Sequence, residues 1–187
     1  MLNSNFFNRL SSYFPNILVL SNNTEFFVKV SAQRCLQLIA FLRLSSTSLC
    51  KILTDMTAID RGAEKRRFFI TYALTSIRYN ARLMVITALA ESETHPSVTS
   101  QYKAAGWLER EIWDMMGIIF TNHPDLRRIL TDYGFKGHPL RKEFPVTGFV
   151  ESLYSLIEGG LVYVPVSLPQ AYRTWTFNQN FDNNFNN

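Results

Sequence analysis

FFITYALTS (Phe68 to Ser76) and RLMVITAL (Arg82 to Leu89) decide the fold class. Both runs are rich in β-branched and aromatic residues, which suit a pleated, half-buried surface. Only Ile77-Arg78-Tyr79-Asn80-Ala81 lies between them, short enough for an antiparallel connection. A sheet therefore stands at the centre of the chain. Upstream, Ile17 to Leu20 and Phe26 to Val30 read as two more strands around Ser21-Asn22-Asn23-Thr24, because Asn tolerates the positive φ of a tight hairpin turn. Ser31 is placed to cap a helix reaching about Leu44, with Cys35, Leu36, Ile39 and Leu42 at helical spacing. Leu2, Phe6, Phe7 and Leu10 predict a short amphipathic helix over residues 2–13, ended by Pro15. Ser45 to Ser48 breaks the chain. Leu49 to Asp60 reads as either helix or strand, with a strand expected around Met56 to Ile59. Arg61 to Arg67 reads as a charged, solvated loop. Glu91 to Thr99 reads as another, with His95 a surface residue before Pro96.

Downstream of the strands, Gln101 to Met116 predicts a helix with an apolar stripe of Leu108, Ile112, Met115 and Met116. Gly117 sits where a left-handed cap would end it. Arg110 and Asp114 are four apart and can pair across one turn. Pro124 suits the first turn of a second, short helix that would bury Leu126, Ile129 and Leu130, with Asp125 near its positive end. Gly134, Gly137, Pro139 and Pro145 keep the chain beyond that helix irregular and extended. Leu161 to Val166 reads as an edge strand interrupted by Pro165, and Asn178 to Asn187 is Asn-rich and of low complexity.

The densest chemistry lies in Trp107 to Glu143, WLEREIWDMMGIIFTNHPDLRRILTDYGFKGHPLRKE. Its 37 positions hold six acids (Glu109, Glu111, Asp114, Asp125, Asp132, Glu143) and six bases (Arg110, Arg127, Arg128, Lys136, Arg141, Lys142). Trp, Met and other large apolar residues are interleaved with them, and His123 and His138 add donors. Sign-balanced charge beside Trp, Met and Arg fits a surface that another protein covers.

The totals narrow the classes. At 187 residues the chain is long enough to bury a real core, and a net charge of +4 permits an anionic partner without requiring one. The most charged stretch is neutral, which argues against RNA; a basic ribosomal or RNA-binding protein remains the alternative reading. Two cysteines, Cys35 and Cys50, cannot supply an iron–sulfur cluster or a tetrathiolate zinc site alone, and read as buried thiols. No apolar run reaches the length of a transmembrane helix. His123 and His138 lack metal-ligand spacing. Glu109 and Glu111 diverge on a helix, and no Gly-rich loop precedes Arg127 and Arg128 for phosphate binding. No catalytic, cofactor-binding or metal-binding residue is therefore assigned.

Three blocks carry a resemblance: Glu109-Arg110-Glu111-Ile112-Trp113-Asp114-Met115-Met116-Gly117, His123-Pro124-Asp125-Leu126-Arg127-Arg128-Ile129-Leu130 and Gly137-His138-Pro139-Leu140-Arg141-Lys142-Glu143-Phe144-Pro145. Together they resemble the signature of the thirty-kilodalton subunit of respiratory complex I. Thr57-Ala58-Ile59-Asp60 and Ser76 to Arg82 are similar to the family's upstream pattern. Ser167-Leu168-Pro169-Gln170-Ala171-Tyr172-Arg173 resembles its closing arm, with Ser167 in place of an acid. Gly106 stands where the family has Asn, and Glu143 where it has Asp.

The resemblance implies an α+β fold: a compact domain over residues 1–143 with a mixed or antiparallel sheet packed by helices, then an extended arm over 144–187. It implies a core structural subunit in the peripheral, matrix-side arm of NADH:ubiquinone oxidoreductase, docked in the quinone module against the forty-nine-kilodalton subunit and neighbouring iron–sulfur subunits. FMN and the iron–sulfur clusters would belong to other subunits, with no cofactor, nucleic acid or membrane span in this one. The expected place is the matrix side of the mitochondrial inner membrane. Because the match begins near Met1, a mitochondrial gene without a cleaved presequence is expected. Glu109, Glu111, Asp114, Arg127, Arg128, Arg141 and Lys142 are assigned to the docking surface, and Arg110, Asp125 and His138 to bracing of the loops.

Overall fold

The computed structural model describes residues 10–14, 17–21, 26–62 and 64–173. Five strands form the main sheet: β1 Leu18–Ser21, β2 Phe26–Ser31, β3 Ile52–Asp60, β4 Phe68–Ser76 and β5 Ala81–Leu89, in the spatial order β1-β2-β5-β4-β3. Every pairing is antiparallel except β2 with β5, which is parallel. Two helices pack against it: α1 Ala32–Leu44 on β2 and β5, and α2 Ala105–Met116 on β3. This is a mixed α+β domain. Two compact units are distinguished along the chain, Met1–Phe144 and Pro145–Asn187.

β4 shows why these residues make strands. Phe68, Ile70, Tyr72, Leu74 and Ser76 are buried while the residues between them are half-buried, the period of two that a pleat imposes. Opposite them in β5 stand Leu89, Thr87, Val85 and Leu83, so one register gathers Phe68, Ile70, Tyr72, Leu74, Leu83, Val85 and Leu89 on one buried face. Val28 and Val30 of β2 continue that face.

β3 reaches it differently. Leu53 and Met56 are both buried although three residues apart, because the register with β4 shifts between Leu53 and Asp55. The bulge lets two residues at helix-like spacing face one way. The strand accordingly runs nine residues, far beyond the Met56 to Ile59 expected.

α1 buries Cys35, Leu38, Ile39 and Leu42. Leu38 replaces Leu36, which is only half-buried. Ser31 occupies the N-cap position in extended geometry, but its side chain makes no capping bond. Of the helix expected over residues 2–13, residues 10–13 are helical and Leu10 is buried; residues 2–9 lie outside the described residues, as does the turn at 22–25.

His95 is not a surface residue. It begins β6 (His95–Pro96), which pairs in parallel with β7 (Phe120–Thr121), and it is completely buried between Tyr72 and Phe120. Its Nδ1 lies 2.8 Å from the Pro96 carbonyl, which can only accept, so Nδ1 carries the proton. Nε2 is then the acceptor for the Thr87 hydroxyl at 3.3 Å. Burial pushes the His95 pKa down to about 4, against the smaller opposing effect of the Pro96 bond.

The second unit holds more regular structure than expected. β8 Val150–Ser155 and β9 Gly160–Pro165 form an antiparallel hairpin. Beyond it, residues 166–173 have no helix or strand, and 174–187 lie outside the described residues.

A depressed histidine pKa means that the folded chain resists a proton the unfolded chain accepts. Stability should therefore be complete above about pH 6.5 and fall towards pH 4, where His95 must charge in its cavity. Urea denaturation across that range should show the decline, and His95→Gln should flatten it.

Candidate functional site

The stretch singled out for its charge is irregular after α2. From 122 to 144 the described chain contains no helix or strand, and the short helix expected from Pro124 does not form. Its amides are taken by other acceptors. The amide of Asp125 donates to His123 Nδ1 at 3.1 Å. Those of Ile129, Leu130 and Thr131 donate to Asp114 Oδ2 at 3.2, 2.9 and 2.9 Å. A carboxylate on α2 thus replaces the i−4 carbonyls that a helix would have used.

Asp114 is completely buried, and its other oxygen accepts from Arg128 Nη1 at 2.9 Å and from the Thr131 hydroxyl at 2.7 Å. Burial alone would raise this carboxyl, but the bonds from Thr131, Leu130 and Ile129 outweigh it and hold the pKa down to about 2. Asp114 therefore pairs with Arg128 and not with Arg110, as the four-residue spacing had suggested. Arg110 instead donates to the Arg127 and Arg128 carbonyls at 3.0 and 3.3 Å, with its guanidinium over Trp107.

The end of α2 is closed by the same loop. A helix leaves its last four carbonyls without internal partners. Here Trp113 O accepts from the Gly117 amide, Asp114 O from His138 Nδ1, Met115 O from the Leu140 amide and Met116 O from Arg141 Nε, at 2.7–3.0 Å. Gly117 has φ +75°, and a Cβ there would stand 2.6 Å from the His138 ring and 2.7 Å from Arg141 Nη2. Glycine is required for the left-handed turn and for the close approach alike.

A second cluster ties the loop to the sheet. Arg67 donates through Nε and Nη2 to both oxygens of Asp60, at 2.9 and 2.6 Å, and through Nη1 to Glu143 at 2.6 Å. The Lys142 amide donates to Asp60 at 3.0 Å, and Arg141 reaches Glu91 at 2.9 Å. The Arg67 and Arg141 guanidinium groups both lie over the Phe68 ring, at 5.0 and 5.3 Å from its centroid. Arg67, chiefly by its hydrogen bonds, holds the Asp60 carboxyl well below the ordinary range. Arg67 is buried, unlike the solvated loop in which its sequence position placed it.

Glu109 is the other buried acid. It lies on the face of α2 shared with Ala105, Ile112 and Met116, and accepts from the Ser97 hydroxyl at 2.6 Å and the Val98 amide at 2.7 Å. His123 Nε2 is 3.8 Å away. Burial raises the Glu109 pKa, partly offset by those hydrogen bonds.

The assigned docking residues therefore divide. Glu109 and Asp114 are buried in this chain and present nothing to a neighbour. Arg128 and Arg141 are half-buried and committed to internal acceptors. Glu111, Arg127 and Lys142 are exposed. Asp125 pairs on the surface with Arg127 at 2.9 Å, while Arg110 and His138 bond to loop and helix carbonyls. Asp60, Arg67 and Glu91 were not singled out from sequence. The period of α2 marks Glu109 as inward-facing, but nothing local marks the contact of Arg67 with Glu143, 76 positions away.

A family model described as "Respiratory-chain NADH dehydrogenase, 30 Kd subunit" matches residues 28–150. The chain belongs to that family. It is 48% identical over 141 residues to "NADH dehydrogenase [ubiquinone] iron-sulfur protein 3" of Arabidopsis thaliana, covering 75% of this chain and 74% of that one. It is 42% identical over 170 residues to "NADH-ubiquinone oxidoreductase subunit 9" of Reclinomonas americana, covering 90% and 83%. With an NADH-quinone oxidoreductase subunit of Paramagnetospirillum magneticum the identity is 44% over 153 residues, covering 82% and 77%. A chain in the structure of the membrane-bound sulfane sulfur reductase, an archaeal respiratory membrane complex, shares the fold with a TM-score of 0.66 at 20% identity, covering 75% of this chain and 84% of that chain.

The words "iron-sulfur" in one relative's name do not fit the residues here. Cys35 and Cys50 are two thiols where a cluster needs four ligands, and both are buried. Burial pushes Cys35 far up and Cys50 up to about 11, against the thiolate that a metal requires. Among the described residues no three His, Cys, Asp or Glu are grouped to hold a metal, and no helix is long and apolar enough to cross a membrane.

If Arg128 chiefly serves Asp114, its loss should appear in the isolated chain. Arg128→Ala should cost about 2–4 kcal/mol, because a buried carboxylate loses its cation, and denaturant melts of the purified chain measure this. An unchanged midpoint would return Arg128 to the docking surface. Gly117→Ala should destabilise by about 2 kcal/mol or more, from the positive φ and the displaced His138 together.

Proposed function

We propose that this chain is a non-catalytic structural subunit of NADH:ubiquinone oxidoreductase, in the matrix-side peripheral arm of the complex at the mitochondrial inner membrane. It docks in the quinone module against the forty-nine-kilodalton subunit and neighbouring iron–sulfur subunits. Its contribution to electron transfer from NADH to ubiquinone, and to the coupled proton translocation, is to hold those subunits in position. FMN and the clusters are carried by other subunits. Family membership supports the setting and leaves the RNA-binding alternative without support.

One observation carries the docking reading. Pro145–Asn187 exposes eleven large apolar or aromatic side chains among its described residues, from Val146 to Tyr172, with Leu156 at 90% and Ile157 at 98% exposure at the hairpin tip. A two-stranded hairpin is marginal in water unless a further surface covers it. Exposed apolar groups on this scale mark a protein-covered surface. The exposed charges Glu111, Arg127 and Lys142 then serve orientation and choice of partner more than raw affinity.

Replacing Leu156 and Ile157 together by Asp should leave the folded domain intact by circular dichroism. It should weaken docking by about 3 kcal/mol or more, as loss of a central apolar anchor does. Native electrophoresis stained for NADH oxidation would follow assembly. A variant incorporated as efficiently as the wild type removes the hairpin from the interface.

A further inference from the structure

The chain carries a net charge of +4, yet the charge-dense stretch from Trp107 to Glu143 is neutral. Part of the excess gathers at one place. Arg43 in the last turn of α1, Lys51 just before β3 and Lys103 just before α2 stand around a cleft of about 340 Å³. Among the described residues no Asp or Glu lines that cleft. Among the described residues none of the three cations forms an ion pair. A concave surface lined by charge of one sign, against low-dielectric walls, concentrates its field on whatever enters.

The three cations are not equivalent. Arg43 is held: its guanidinium lies over the Tyr102 ring at 5.4 Å, and its Nη1 donates to Gln101 Oε1 at 3.5 Å. Tyr102 is itself anchored by its hydroxyl, which donates to the Cys50 carbonyl. A guanidinium fixed on two sides keeps its remaining N–H groups for a planar, multidentate acceptor. Lys51 and Lys103 are exposed, so their ammonium groups are free to turn towards a ligand in the cleft.

We propose that this cleft binds an organic phosphate. One carboxylate is satisfied by one arginine, whereas three cations without a counter-charge match a phosphate or diphosphate dianion. The volume falls at the small end of ligand sites, and Ile52 and Tyr102 offer an apolar wall to the organic part. Three cations in one cleft are too few and too local for the basic track that a nucleic acid backbone needs. The ligand is a soluble phosphate ester or the headgroup of a phospholipid, which share this chemistry.

The test uses the full chain, with inorganic pyrophosphate as the first probe and amide NMR shifts as the readout. Saturable shifts confined to residues around 43, 51 and 100–104 are expected. The double variant Lys51→Gln/Lys103→Gln, at exposed positions, should keep the wild-type spectrum elsewhere and bind about tenfold more weakly. No saturable shift, or undiminished binding by the double variant, overturns the proposal. So does tighter binding of a polyglutamate peptide than of pyrophosphate, which would assign the cleft to an acidic protein segment. Sedimentation with phosphatidylcholine vesicles containing phosphatidic acid, competed by pyrophosphate, identifies the lipid source. Pyrophosphate binding without vesicle binding identifies the soluble one.

Discussion

The carboxylate of Asp114 sets the conditions for the rest of the structure. After Asn122 the chain runs more than twenty residues with no helix or strand, so its amides have no ladder to join. A buried amide without a partner costs about 1–3 kcal/mol, and a run of them would keep the segment in solvent. Asp114 removes that obstacle by accepting three consecutive amides and two side-chain donors from one buried position. The cost of burying its charge is offset by those donors, which is why the group stays ionised. Loop and helix are then reciprocal: α2 supplies the acceptor, and the loop returns His138, Leu140 and Arg141 to the carbonyls at the helix end.

Dense, balanced charge therefore has two uses in this chain. Part of it is internal structure, as with Asp114 and Arg128, or Asp60 and Arg67, where burial makes each hydrogen bond consequential. Part is free surface, as with Glu111, Arg127 and Lys142. An exposed pair such as Asp125 and Arg127 contributes about 0–1 kcal/mol to the fold and is available to a partner. Apolar exposure, by contrast, is concentrated among the described residues after Phe144.

Several features were legible in residue order. β4 and β5 follow from their β-branched and aromatic content and the short connection, and α1 and α2 from their periods, with Gly117 closing the second. Others were obscured for definite reasons. A bulge gave β3 the spacing of a helix. Pro124 looked like a helix start because local rules cannot know that a carboxylate ten residues back would claim the amides. His95 looked exposed because Pro follows it, yet a two-residue pairing with Phe120 and Thr121 draws it into the core. Leu36 and Leu38 are both candidates for one helix face, and only the sheet chose between them.

Local periodicity and turn chemistry, read in one dimension, were enough for most of the elements, and the three motif blocks for the family and the class of fold that it implies. They do not determine which charges face inward. Whether Arg67 or Arg66 meets water, and whether Asp114 does, depends on acceptors and donors brought from distant positions. A side chain's ionic role is a property of its surroundings, and those exist only once the helices and the irregular loop have closed on one another.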